Sequence, residues 1–151
     1  MKKHIHKLLF ALYLCLMVYL LFLQRIKYFC LSPQISYFEM LRSSINLIPG
    51  YSVAIFVRNL FSGDGYWARH AVINLIGNVV MFVPAGFFLP MVCTRARRLK
   101  NTLLISLGAL AVIEAVQLFT LLGSMDIDDV ILNMAGVLIG YALFKAYEKK
   151  D

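Results

Sequence analysis

The chain has 151 residues, of which 61% are apolar and only 15% charged, with a mean hydropathy of +0.76. A soluble domain usually carries about 25% charged residues, so the composition excludes an ordinary soluble globule and points to lipid as the solvent. The net charge of +7 would suit nucleic acid, but the bases gather in short flanks of apolar runs, which assigns them to membrane topology and anionic lipid and excludes a nucleic-acid surface.

Four apolar segments approach the roughly 20 residues that a membrane helix needs. They predict spans at about 8–23, 71–93, 102–122 and 130–146, within one domain covering 1–151. The first follows a basic start, MKKHIHK, and runs into QRIKYF with no small-x-small cleavage site, so it reads as a retained anchor. His4-x-His6 belongs to that basic start. Cys15 and Cys93 lie in apolar runs and serve as small hydrophobes. With Cys30 they form an odd, dispersed set without Cys-x-x-Cys, which excludes a disulfide framework.

The long connection 24–69 is too apolar for a plain linker. Pro33, Pro49 and Gly63-Asp64-Gly65 mark turns, and SVAIFVRNLF has the helical spacing of a segment lying in the interface. Tyr66 and Trp67 precede the second span, where aromatic belts form. Arg95, Arg97, Arg98 and Lys100 follow that span, and Lys145, Lys149 and Lys150 close the chain. With Lys2, Lys3 and Lys7 they make alternate flanks basic, whereas GSMDIDD between spans three and four has three acids and no base. The expected protein is therefore an all-α, multi-pass bundle of four transmembrane helices in the cell membrane, with both termini cytoplasmic.

On that topology the polar residues converge. Asn74 and Asn78 share a face of the second span, and Asn78 lies roughly 12 Å below the outer edge. Glu114 lies roughly 12 Å deep in the third span, with Gln117 about one turn above it. Asp129 and Asn133 are spaced i, i+4 at the start of the fourth. Three helices thus offer polar groups to one depth, in the outer half of the bilayer. An ionisable side chain inside a span costs about 2.5–3.5 kcal/mol on insertion scales and marks function by default. The bland alternative is a protonated or paired Glu114 that fastens helices through Gln117, Asn78 or Asn133, with Arg69 and His70 as nearby counter-charges. Asp126 suits the N-cap of the fourth span and Asp129 its first turn; the sharper alternative is a rim site for a divalent cation or headgroup. Gly136 and Gly140 continue the stripe of Asp129 and Asn133 as Gly-x-x-x-Gly, which lets two backbones approach. Pro84 and Pro90 are expected to kink the second span or free its carbonyls. No phosphate-binding glycine loop, His-Glu-x-x-His or Gly-x-Ser-x-Gly is present, and the motifs assign no cofactor, no metal and no catalytic residue.

Asn78-Val-Val-Met-Phe-Val-Pro-Ala-Gly86, Glu114-x-x-Gln117 and the run DIDDVILNMAG, with Asp126, Asp129, Asn133 and Gly136, resemble the motifs of the VanZ-like family in their order. Asn46-Leu-Ile-Pro49 resembles a further family element, although Gly50 stands where an aromatic would be expected, and Asp128 falls where the family varies. The resemblance implies a small bacterial membrane protein that lowers susceptibility to teicoplanin, a lipoglycopeptide that binds cell-wall precursors. Its partners would be membrane lipids and a lipoglycopeptide or lipid-linked precursor. Two other functions stay open: an enzyme acting on a lipid or polyprenyl phosphate, with Glu114 as acid/base and Asp126 and Asp129 holding a cation, and a structural or partner protein without chemistry.

Overall fold

The architecture, taken from a computed structural model, is described for residues 2–26 and 36–149. Cys30, Pro33 and Lys150 lie outside the described residues. Helix α1 (Lys2–Val18) continues through a π-helical turn (Tyr19–Leu23) into α2 (Gln24–Ile26). Then come α3 (Tyr37–Ser43), β1 (Ile45–Asn46), α4 (Tyr51–Leu60), α5 (Gly65–Val92), a 3-10 turn (Thr94–Arg97), α6 (Leu99–Phe119), β2 (Met125–Asp126) and α7 (Ile127–Glu148). The expected four-span, all-α bundle is the observed fold. His4–Ile26, Gly65–Val92, Leu99–Phe119 and Ile127–Glu148 are long and apolar enough to cross a membrane. Each differs from the expected range by a few residues, and the third ends earlier, at Phe119, because Leu121 takes a left-handed φ of 55° and turns the chain.

Helices α5 and α7 form the spine of the bundle. They run parallel, and the reason is written in glycine. A Cβ on Gly136 would strike the carbonyl of Val79, one on Gly140 the carbonyl of Val83, and one on Gly86 the carbonyl of Val137. The small-residue stripe of α7 and Gly86 of α5 therefore allow backbone-to-backbone contact, the usual substitute in lipid for a hydrophobic driving force. Met17, Leu21, Phe82, Leu110 and Val137 fill the buried centre. Helix α5 passes through Pro84 and Pro90 as one continuous element. Proline removes a backbone donor from the turn, and beside Pro84 the Tyr13 hydroxyl donates to the Met81 carbonyl at 3.0 Å, tying α1 to α5.

The two ends differ in charge. At one, Arg97 meets Glu148 at 3.6 Å, the His6 and Tyr147 rings face each other, and the Tyr141 hydroxyl donates to the Arg97 carbonyl at 2.7 Å. The N-terminus of α1, the α5–α6 link and the C-terminus of α7 thus share a basic end. The opposite, acidic end is closed by the long connection, which is more than an interfacial helix. β1 pairs parallel with β2, Ile45 beside Met125 and Asn46 beside Asp126. The Tyr37 hydroxyl donates to the Phe119 carbonyl at 2.8 Å, at the end of α6. Two-residue strands carry no periodicity, which is why the sequence shows no sign of this clasp.

If the α5–α7 contact holds the bundle, Gly136→Ala should cost about 1–3 kcal/mol through forced separation of backbones. Gly108→Ala, where an added Cβ meets nothing within 4 Å, should cost nothing and gain up to about 1 kcal/mol in helix propensity. Reversible unfolding in mixed micelles would measure both.

Candidate polar site at the acidic end

The site is built around the turn into α7. Asp126 precedes the helix in extended conformation, and its carboxylate accepts the Asp128 N–H at 2.9 Å, an N-cap that satisfies one of the free donors of the first turn. The same carboxylate accepts from the hydroxyl of Ser52 and from Asn46 Nδ2 at 3.2 Å; that amide also donates to the Ser52 hydroxyl at 2.9 Å. Asp126 therefore joins α7, β1 and α4.

Asp128 goes further. Only 2% exposed, it accepts the Gly50 N–H at 2.6 Å and the Val53 N–H at 3.1 Å. These are donors at the start of α4, where no intrahelical partner exists and the helix dipole favours a negative charge. Gly50 has φ +84°, a conformation that an aromatic residue adopts only at a cost, so the glycine after Pro49 suits the turn that delivers α4 to Asp128.

Inside the bundle, Glu114 is 4% exposed and its carboxylate accepts the Asp126 N–H at 3.3 Å. Asn78 Nδ2 donates to Asp129 Oδ1 at 2.5 Å. The α5 side chain reaches toward the acidic end because helical side chains lean to their N-terminus. Asn133, 5% exposed, lies one turn beyond Asp129 on the same face, and its Oδ1 is buried without a hydrogen-bond partner among the described residues. Gln117 turns the other way: its Nε2 donates at 3.1 Å to the carbonyl of Leu21 in the π-helical turn, so it fastens α6 to the first span.

Asn78, Glu114, Asp126, Asp129 and Asn133 thus gather at one end, and Gln117 stands beside them. Asn74 does not join: it bonds back to His70 on its own helix, at 2.8 Å to the carbonyl and 3.1 Å to the ring. The counter-charge is also different from the expected Arg69 or His70, both of which are exposed. Arg25, from α2, is a base that reaches this end of the bundle: its guanidinium donates to the Leu122 carbonyl at 3.4 Å. Its basic charge on the flank opposite to the other base clusters was the available clue. Asp128, Ser52 and Asn46 gain their roles only through the long connection. Among the described residues no three His, Cys, Asp or Glu side chains converge to hold a metal ion.

Chemically the site is rich in acceptors and poor in donors. Asp126 and Asp128 spend their oxygens on holding the connection. Glu114, Asp129 and Asn133 keep acceptor capacity inside the bundle. A family model described as VanZ/LLP1 matches residues 10–148. The chain belongs to the VanZ/LLP1 family. Comparison with curated proteins and with solved structures gives no match. The match runs from within the first span to the end of α7 in this VanZ/LLP1 chain, and includes the connection that places Asn46 beside Asp126.

Asp128→Asn keeps the shape but removes the charge from two buried hydrogen bonds. The variant should lose about 2–3 kcal/mol, and residues 45–60 should become the first part of the chain cut in limited proteolysis.

Proposed function

We propose that this VanZ/LLP1 protein lowers susceptibility to teicoplanin-type glycopeptides, and that the cluster of Glu114, Asp129, Asn133 and Asn78 works as a ligand site at the outer leaflet of the cell membrane. The orientation is supported by the bases at the other end, since Lys and Arg favour the cytoplasmic side. The observation that carries the site is the acceptor surplus: a buried Asn133 Oδ1 on α7 with no partner among the described residues, and a Glu114 carboxylate on the neighbouring α6 held by one long bond. Buried polar groups are normally satisfied, and a cluster built only to fasten helices would leave no acceptor bare.

Teicoplanin carries an acyl chain that enters the outer leaflet, where lipid-linked wall precursors are displayed. A site that captures an amphiphile's headgroup there would weaken the anchoring of the drug. Protection should then be greater against teicoplanin than against vancomycin. A purely structural role for Glu114 is favoured by its contact with the Asp126 N–H, and the same experiment separates the two. A sensitive Gram-positive host would carry wild type, Glu114→Gln or empty vector at matched membrane levels. Selective protection against teicoplanin, lost in Glu114→Gln, is the expected result. Protection retained in the variant would reduce Glu114 to packing, and equal protection against both drugs would remove the lipid-anchor route.

A further inference from the structure

The basic end of the bundle carries two bases that its own fold leaves unused. Arg97 and Lys145 both meet Glu148, at 3.6 Å and 2.7 Å. Lys7 and Arg98 are exposed, and among the described residues their side chains enter no ion pair or hydrogen bond.

Both stand above the walls of one groove. Helices α1 and α6 each pack on α5 and leave between them an apolar cavity of about 190 Å³. Phe10 and Leu14 of α1, Ala85 and Leu89 of α5, and Ile105 and Ala109 of α6 line it. Leu14 and Ile105 are 47% and 42% exposed, so the groove opens sideways to lipid. Lys7, Phe10 and Leu14 are spaced i, i+3, i+7 within α1 and share a face. Arg98 is the N-cap of α6, seven residues before Ile105, and falls on the face of that residue. Lys7 therefore lies roughly 5 Å beyond Phe10, and Arg98 roughly 10 Å beyond Ile105, on the way out to water at the basic end. Lys100 stands apart: two residues after Arg98, it is turned roughly 200° around α6.

We propose that this groove holds one anionic phospholipid, with an acyl chain between α1 and α6 against α5 and the phosphate in the interface between Lys7 and Arg98. The proposal is independent of the cluster at the acidic end. The groove needs no polar lining, because the headgroup stays outside it, where the two exposed bases stand. Long basic side chains keep their stems on apolar surface and their charges in the headgroup layer. Charge complementarity decides the head. A phosphodiester accepts charge-assisted hydrogen bonds from an ammonium and from a guanidinium, and these two are unpaired. A zwitterionic lipid would bring a cation of its own against them. The walls decide the chain: apolar side chains from three helices follow one another along the span.

The test uses the full chain with a tryptophan reporter on the lip of the groove. Trp67 is the chain's one tryptophan, so Leu14→Trp in a Trp67→Phe background reports that lip alone. The protein is reconstituted in phosphatidylcholine bilayers with rising fractions of phosphatidylglycerol, and either lipid carries bromine at mid-chain, which quenches a tryptophan in contact. Brominated phosphatidylglycerol should quench with an apparent affinity at least about fivefold above that of brominated phosphatidylcholine, the scale of one base near an anionic headgroup. Lys7→Gln and Arg98→Gln should each lower that preference severalfold with thermal stability unchanged, since neither base has a partner to lose. Lys100→Gln removes the same charge from the far side of α6 and should leave the preference intact. Ala109→Phe, at an exposed position in the groove wall, should weaken quenching by filling the space for the chain. Equal quenching by the two lipids would overturn the proposal. An effect of Lys100→Gln as large as that of Arg98→Gln would overturn it too, because the preference would then belong to the whole basic surface. Unchanged quenching in Ala109→Phe would overturn the placement of the chain.

Discussion

The close approach of α5 and α7 is the constraint from which the rest of the architecture follows. In lipid, apolar side chains gain little by leaving the solvent for each other, so association depends on close packing. Gly86, Gly136 and Gly140 supply that packing by letting carbonyls sit where a Cβ would be. Once α7 is locked in this register, its buried stripe is fixed in direction. Asp129 faces Asn78, Asn133 is enclosed, and Asp126 and Asp128 stand at the end of the bundle where the long connection can reach them.

That geometry sorts four acidic residues into two kinds of work. Asp126 and Asp128 are spent on backbone and side-chain donors of β1, α4 and α7. They convert a connection that could lie loose on the membrane surface into a clasp. Glu114 and Asp129 are held by fewer donors in a region of low dielectric, where a bare polar group is costly.

The reading of the sequence succeeded where periodicity and length carry information. The four spans follow from apolar run length, and the helix Tyr51–Leu60 from its helical spacing. Glu114, Asp126, Asp129, Asn133 and Asn78 follow from polar residues at matching depths in separate apolar helices. It failed where the partner is remote in the chain or the element is too short to repeat. Asn74 and Asn78 are indistinguishable by spacing, yet one bonds its own helix and the other reaches α7. Asp128 received no role of its own in the sequence because nothing local reveals that its oxygens receive the N–H groups of Gly50 and Val53, more than 70 residues away.

The sequence by itself determined the apolar character, the number of long apolar helices and the positions of the polar groups along them, because each depends on how many apolar residues stand in a row and what interrupts them. The tertiary structure alone decided which acids hold the connection and which bond inside the bundle. That division depends on a parallel pair of two-residue strands, a left-handed glycine at position 50 and the turn of Gln117 toward Leu21. Such contacts join segments whose separation along the chain says nothing of their distance in space, so only the folded bundle can show that Asn133 is left with an acceptor and no donor to meet it.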